Sequence, residues 1–187
     1  MELHEEAWNA YPYCRTVSSN PGYMKNNFYI IIETFHLGDK GESENVHELD
    51  KKKLNERTVV PIDIANDSVN DKDFKKDKDP STFVSEKTVR GPLKGDWIVS
   101  AVPVMTCYKL VSIQFKWAGL QNKVETFIHT QEKRLFTNFH RQVFCWLDKW
   151  HGRSMADIRA LEEETKAKLD EERAKGEIRG TTASEEK

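Results

Sequence analysis

The sequence predicts an α+β protein of one domain, with strands in the first two thirds of the chain and helices after them. Apolar side chains alternate with period two, the spacing of a strand, in several segments before residue 118. After Gly119 they recur every three to four residues, which is the spacing of an amphipathic helix. The 187 residues are enough to bury one hydrophobic core without disulfide bonds or a metal.

Two strands are predicted near the N-terminus. Residues 11–17 alternate large side chains with the smaller Cys14 and Thr16, which therefore share the mildly polar face of this strand. Residues 28–36 are β-branched or aromatic on both sides, which favours a strand covered on both faces. Thr34 lies in line with the apolar side chains of this second strand.

The middle of the chain is predicted to be mostly loop. A third extended run covers residues 58–65, and the charged stretch 66–97 that follows contains the Pro and Gly residues typical of loops. Alternation returns at residues 108–117, where Lys109 lies on the apolar face of the predicted strand.

One long amphipathic helix is predicted after Gly119, and a second helix begins near Ser154. The apolar stripe of the first consists of Leu120, Val124, Ile128, Leu135, Phe139, Val143, Trp146 and Trp150. Glu132 falls where this stripe should hold an apolar residue. Ser154 can cap the second helix by accepting a hydrogen bond from the amide three residues on. We expect one domain over residues 1–175 and a flexible tail over residues 176–187, where periodicity is lost.

Composition excludes several classes of protein. With 29 Lys and Arg against 31 Asp and Glu, the net charge of −2 offers no overall attraction to nucleic acid. The longest apolar runs hold about five residues, too few to cross a bilayer, and the N-terminus lacks the features of a signal peptide. The three cysteines are too scattered for a disulfide framework. We therefore expect a cytoplasmic protein with reduced thiols and no nucleic-acid partner.

No catalytic or metal-binding motif is present. The HExxH, GxGxxG and GxSxG signatures and the phosphate-binding P-loop are absent. The acidic series in residues 71–79 lacks the glycine and the final glutamate of a calcium loop. No base pairs visibly with Cys14 or Cys145 to activate a thiol. We therefore expect neither an enzyme nor a bound metal or cofactor.

Five polar side chains are predicted to point inward, namely Cys14, Thr16, Thr34, Lys109 and Glu132. In a structural interpretation, the lysine extends to water from a strand end and the glutamate lies at the edge of its stripe. The alternative requires a cavity, in which hydroxyl groups, one ammonium and one carboxylate are satisfied by a ligand with a zwitterionic or phosphate-bearing end and hydrocarbon elsewhere. A phospholipid fits that description.

Three stretches carry a specific family resemblance. They are residues 7–16 (Ala-Trp-Asn-Ala-Tyr-Pro-Tyr-Cys-Arg-Thr), residues 119–125, and residues 134–142 with 144–150. Weaker matches follow the same order at residues 44–47, 62–65 and 90–93. Together these stretches resemble the class I phosphatidylinositol transfer proteins. The resemblance spans essentially the whole chain and covers the C-terminal two thirds of the family domain.

The resemblance implies a START-like, helix-grip fold, in which a curved, mostly antiparallel sheet and long C-terminal helices enclose one phospholipid. Because the N-terminal third of the family domain has no counterpart in this sequence, the enclosure is expected to be incomplete at the N-terminus. The protein would bind phosphatidylinositol and phosphatidylcholine in an internal cavity and transfer them between membranes without breaking a bond. It would be a monomer when loaded and would meet the cytosolic face of membranes transiently.

By motif position, the resemblance implies seven lipid contacts. They are Asn9 and Glu162 for the inositol, Thr16, Thr34 and Lys109 for the phosphate, and Cys14 and Glu132 at the headgroup end.

Two further positions are implied to act outside the cavity. Trp117 would dock to the membrane, although Ala118 stands where the family has a second tryptophan, which removes one interfacial anchor. Ser85 matches a phosphorylation position in the regulatory loop of the family.

A second function stays open on the sequence. A truncated isoform or fragment with little transfer activity would act as a protein-interaction module, with a partner covering the apolar surface that an incomplete cavity exposes.

Overall fold

A computed structural model describes residues 3–176. Its strands are β1 (His4–Ala10), β2 (Tyr13–Asn20), β3 (Lys25–Leu37) and β4 (Thr106–Phe115). Its α-helices are α1 (Lys51–Glu56), α2 (Trp97–Ser100), α3 (Gln121–Cys145), α4 (Leu147–Trp150) and α5 (Met155–Ala174), and a 3₁₀ turn spans Lys76–Lys78. The predicted α+β class is confirmed.

The four strands form one antiparallel sheet in the order β1-β2-β3-β4. Each strand pairs with the next one along the chain, so β2 and β3 are central and β1 and β4 are the edges. Short turns join the first three strands, whereas residues 38–105 separate β3 from β4. The strands predicted over residues 11–17, 28–36 and 108–117 correspond to β2, β3 and β4.

The long helix α3 packs along β4 and against the 3₁₀ turn. Near the start of the helix, the rings of Phe28 and Phe115 pack edge to face with their centroids 6.2 Å apart. Phe28 is buried, and so is Met24 in the β2–β3 turn. These residues form a small apolar cluster at the end of the sheet near the beginning of α3.

Two arginines of α3 fix the long β3–β4 connection to the helix. Arg134 forms a bidentate ion pair with Asp73, with N···O distances of 2.5 and 2.7 Å. The buried Arg141 donates to the carbonyl of Ile64 at 2.7 Å and to the carboxylate of Asp79 at 3.0 Å. Charged pairs therefore hold this connection against α3.

Three elements differ from the prediction. The edge strand β1 was not predicted, because it is exposed along its whole length and shows no apolar face. Residues 58–65 form no strand, contrary to the expectation of a third extended run. The first long helix stops at Cys145, and α4 follows as a separate turn because the chain leaves helical geometry at Trp146.

The predicted apolar stripe of α3 is wrong in its second half. Leu135 and Phe139 are 52% and 53% exposed, whereas Thr137, Arg141 and Cys145 are buried. The buried side of the helix is therefore the side on which Arg141 meets the β3–β4 connection, and the apolar side faces outward.

The last helix, α5, begins with the predicted cap. The Ser154 hydroxyl accepts from the amide of Asp157, and the Asp157 carboxylate accepts from the amide of Ser154. Within residues 3–176, α5 contacts no other helix or strand. The predicted flexible tail lies, from residue 177 onward, outside the described residues.

None of the described helices combines the length and the hydropathy needed to cross a bilayer.

Candidate functional site

Four of the predicted site residues form one row across the sheet. In the strand register, Asn9 lies opposite Cys14, Cys14 opposite Thr34, and Thr34 opposite Lys109. Directly opposed residues of neighbouring strands point to the same face, so all four side chains share one face of the sheet. Thr16 lies two residues from Cys14 and belongs to that face as well.

Hydrogen bonds join this row in two pairs. The Cys14 thiol donates to Oδ1 of Asn9 over 3.0 Å, and Nζ of Lys109 donates to Oγ1 of Thr34 over 3.3 Å. Thr34 is buried, with 5% of its surface exposed. The lysine head therefore lies over the sheet beside a buried hydroxyl and does not extend to open water.

Helix α3 presents Glu132, Phe136 and His140 to the row at a spacing of four residues, which places them on one side of the helix. The Lys109 ammonium lies 4.8 Å from the ring centroid of Phe136, in the position of a cation–π contact. Glu132 and His140 occupy the turns before and after this ring. The polar row and this helix stripe together form the candidate site.

Burial shapes the electrostatics of the site. Burial raises the pKa of the Glu132 carboxyl, and the nearby Lys109 ammonium opposes that shift. Oε2 of Glu132 is buried with no hydrogen-bond partner. Burial, with the positive charge of Lys109 and the nearby His36, lowers the pKa of His140 to about 4. The site thus holds one ammonium, one incompletely satisfied carboxyl group and one neutral imidazole.

The buried thiol of Cys145 and the part-buried thiol of Cys107 are poor nucleophiles. Burial raises the pKa of Cys145 to about 11. Burial also raises the pKa of Cys107, although the nearby charge of Lys109 opposes that shift.

Within residues 3–176, no group of three or more His, Cys, Asp or Glu side chains could hold a metal ion.

The donors of the site match a phosphate-bearing group. An ammonium and two hydroxyl groups, from Lys109, Thr34 and Thr16, can donate to phosphate oxygens, while the amide of Asn9 can bind a hydroxyl group. A buried acceptor without a partner, Oε2 of Glu132, provides a place for a donor or a cation.

Glu162 lies apart from this site. It is exposed on α5 and pairs with Arg159 of the same helix at 2.6 Å. The structure therefore does not bring this residue to the polar row, and its contact with inositol stays a prediction.

Ser85 is buried, with 1% of its surface exposed. Its hydroxyl donates to the carboxylate of Asp148 at 2.6 Å, and the amides of Glu86 and Lys87 donate to the same carboxylate at 3.0 Å. These bonds lower the pKa of Asp148. A kinase could reach the hydroxyl only after this loop opens, so phosphorylation of Ser85 stays a prediction.

Trp117 lies in the loop between β4 and α3, at the end of the sheet away from the β1–β2 turn. It is 43% exposed and stacks on Tyr23, with ring centroids 6.1 Å apart. The exposure is compatible with the predicted docking role, which stays a prediction.

Comparison with known proteins places the chain in a family. A family model described as phosphatidylinositol transfer protein matches residues 1–167. The beta isoform of phosphatidylinositol transfer protein from Bos taurus is 54% identical over 191 residues, which cover 99% of this chain and 70% of that protein. The chain is a class I member of the phosphatidylinositol transfer protein family. The human beta isoform is 53% identical with the same coverage, and phosphatidylinositol transfer protein 1 of Dictyostelium discoideum is 50% identical over 90% of this chain and 64% of its own length.

Two residues of the site were not predicted from the sequence. Phe136 and His140 follow Glu132 by four and eight residues, and this spacing could have indicated that they share its side of the helix. The apolar stripe through Leu135 and Phe139 lies on the neighbouring side of the helix and predicted that this side faces the core.

Proposed function

We propose that this chain binds one phospholipid, either phosphatidylinositol or phosphatidylcholine, and transfers it between membranes. The observation that carries the proposal is the polar row from Asn9 to Lys109. This row faces Glu132, whose buried Oε2 has no hydrogen-bond partner. Family membership supports the same conclusion, since the relatives are named for phosphatidylinositol transfer.

The phosphate is bound by the Lys109 ammonium together with the hydroxyls of Thr34 and Thr16. The cation–π contact with Phe136 and the hydrogen bond to Thr34 hold the ammonium over the sheet before the lipid arrives. Such preorganisation reduces the entropy lost on binding. A phosphate group then meets a part-buried positive charge whose position is already fixed.

The remaining headgroup contacts come from the β1–β2 side of the row and from α3. Cys14 and Glu132 line the headgroup end, and Asn9 binds an inositol hydroxyl. For Glu162 to contact the inositol ring as well, α5 must close over the site from its present position. Enclosure of the lipid in a START-like cavity belongs to this proposal.

The acyl chains lie along the apolar side of α3. Leu135 and Phe139 are half exposed there, next in sequence to the site residues Phe136 and His140. Hydrocarbon placed on such side chains gains about 25 cal/mol for each Å² of apolar surface removed from water. The exposed stripe that makes a poor core is therefore a suitable lipid contact.

The transfer cycle needs no catalytic residue, metal or cofactor, because the lipid is a bound ligand and no bond is broken. We propose that the loaded protein is a cytoplasmic monomer that meets the cytosolic face of membranes only while it exchanges lipid.

Lipid content and transfer test the proposal together. The purified chain is analysed by native mass spectrometry for bound phospholipid, and transfer of labelled phosphatidylinositol and phosphatidylcholine is measured between donor and acceptor vesicles. One phospholipid for each chain and transfer above the spontaneous rate are expected. A lipid-free chain that transfers neither lipid contradicts the proposal.

A protein-interaction module is the second candidate function. The exposed apolar side chains of α3, Phe127, Leu135 and Phe139, could be covered by a partner protein instead of lipid. A lipid-free oligomer in the same mass spectra, with transfer restored by fusing the N-terminal third of a relative, would favour this candidate.

A further inference from the structure

One end of the sheet carries an exposed surface built from two separate segments. Residues 20–27 form the β2–β3 turn with the start of β3, and residues 116–124 form the β4–α3 loop with the first turn of α3. The amide of Lys116 donates to the carbonyl of Asn27 at 2.7 Å, which joins the two segments. Residues 20–27 and 116–124 together form what we call the docking tip.

The β2–β3 turn is built to present Tyr23. The buried Asn20 accepts hydrogen bonds from the amides of Tyr23 and Met24 through its Oδ1, both at 2.8 Å. The side chain of Met24 is buried beneath the turn. Because Met24 takes the inward position, Tyr23 faces outward and is 69% exposed.

Aromatic rings connect the tip to the core. Tyr23 stacks on Trp117 at 6.1 Å, Trp117 stacks on Phe115 at 6.5 Å, and Phe115 meets the buried Phe28 edge to face. Tyr23 and Trp117 are thus ordered against neighbours although both are largely exposed. Leu120, the residue before α3, is 46% exposed beside them. A surface of two ordered aromatics and a leucine can enter an apolar phase with little further loss of conformational freedom.

The charge of the tip has one sign. Lys25, Lys116 and Lys123 are all exposed, and neither segment contains an Asp or Glu, although the whole chain has a net charge of −2. Lys123 lies in the first turn of α3, where a positive charge opposes the helix dipole, so helix stability does not account for it. The nearest carboxylate along the chain, that of Glu125, accepts from the amide of Phe115 at 2.8 Å.

Tyrosine and tryptophan rings favour the boundary between headgroups and acyl chains, and lysines are attracted to the negative surface of anionic leaflets. We infer that the docking tip binds the surface of an anionic bilayer, with Tyr23 supplying the second interfacial aromatic beside Trp117. The inference rests on the proposed function, since it adds a second segment and a charge preference to the docking step of lipid transfer.

Vesicle flotation tests this inference on the full chain. Binding is measured on phosphatidylcholine vesicles with and without phosphatidylserine, for Tyr23→Ala, Tyr23→Phe, Lys25→Gln and Ala118→Trp. The matched controls are Tyr11→Ala, which removes an equally exposed, ring-stacked tyrosine at the opposite end of the sheet, and Lys51→Gln on α1.

On anionic vesicles, Lys25→Gln is expected to weaken binding roughly fivefold, the equivalent of about 1 kcal/mol for one lysine near a charged surface. High salt should reduce this difference, because exposed charges are screened. Tyr23→Ala should weaken binding on both kinds of vesicle, Tyr23→Phe should retain most of it, and Ala118→Trp should strengthen it. The two control variants should bind as the unmodified chain does.

Equal binding by Tyr23→Ala and Tyr11→Ala overturns the inference. The inference is also overturned if Tyr23→Ala changes the oligomeric state of the chain and leaves vesicle binding unaltered. That result would show that the docking tip is a protein–protein interface. Retention of the bound phospholipid is measured separately by native mass spectrometry and is expected to be unchanged in Tyr23→Ala. Failure of docking and failure of the proposed lipid site are therefore distinguishable.

Discussion

Lys109 and Glu132 face each other across the candidate site without a direct hydrogen bond in the structure. Lys109 has Thr34 and the Phe136 ring as neighbours, whereas Oε2 of Glu132 is buried with no partner. A buried polar atom without a partner costs free energy. Glu132 is therefore expected to destabilise the lipid-free chain. A ligand that donates a hydrogen bond to this carboxyl group removes that free-energy cost.

Replacing Glu132 by glutamine is expected to stabilise the lipid-free chain near neutral pH. Burial raises the pKa of Glu132 above its ordinary 4.5, so the folded state holds the proton more tightly than the unfolded state. Stability is then lost as the pH rises from 4.5 through the folded pKa, and Glu132→Gln removes that loss. Urea unfolding should show a gain of roughly 1 kcal/mol at about pH 7, which shrinks toward about pH 4. The exposed Glu162→Gln serves as control, and an equal effect of both variants would refute the assignment.

His140 is expected to make the fold sensitive to acid. Its folded pKa of about 4 lies below the ordinary 6.5, so the unfolded state binds the proton more tightly between these values. Stability is present above about pH 6.5 and is lost as the pH falls toward 4, by up to roughly 3 kcal/mol for this group. In His140→Gln this part of the pH dependence should disappear, whereas His129→Gln, on an exposed position of the same helix, should keep it. An unchanged slope in His140→Gln would show that the imidazole is not held neutral.

At the scale of elements, the sheet was predicted where its strands have apolar faces. The side chains of β2 and β4 alternate with period two, and β3 is β-branched or aromatic on both faces, so the predicted strands match these three. Strand β1 shows no such apolar pattern, because an edge strand that is exposed along its length needs no apolar face. Residues 58–65 resemble a strand in composition, yet this segment is fixed to α3 through the bond between Arg141 and the Ile64 carbonyl.

The site was predicted in part for the same reason. The strand patterns predicted that Thr16, Thr34 and Lys109 point inward, and the register of β3 and β4 places Thr34 opposite Lys109. Asn9 came from the family resemblance, since only the pairing of β1 with β2 brings it to the row. The side of α3 that faces the row could not be read from its apolar stripe, because ion pairs on the opposite side orient the helix.

Those ion pairs are expected to dominate the stability of the α3 layer. Arg141→Ala leaves the part-buried Asp79 carboxylate and the Ile64 carbonyl without their partner, and removing one member of a buried pair typically costs about 3–5 kcal/mol. Arg159→Ala breaks an exposed pair on α5 and should cost less than about 1 kcal/mol. Urea unfolding of both variants compares the two. Similar small losses would mean that the β3–β4 connection is not held by Arg141.

At the scale of the whole molecule, the candidate lipid site and the proposed docking tip occupy different parts of the fold. The polar row faces α3 near the end of the sheet at the β1–β2 turn, whereas the docking tip lies at the opposite end, formed by the β2–β3 turn and the β4–α3 loop. The apolar side chains Leu135 and Phe139 lie exposed on α3.

Lipid retention by Lys109→Ala tests the central claim most directly. The variant and the unmodified chain are purified in parallel and their bound phospholipid is quantified by native mass spectrometry, with Lys51→Ala as a charge-matched control on the exposed surface of α1. Loss of the lysine leaves the phosphate charge without its partner, so retention of both lipids should fall by the equivalent of about 2–5 kcal/mol, while Lys51→Ala retains them. Undiminished retention of phosphatidylinositol and phosphatidylcholine by Lys109→Ala would contradict the account.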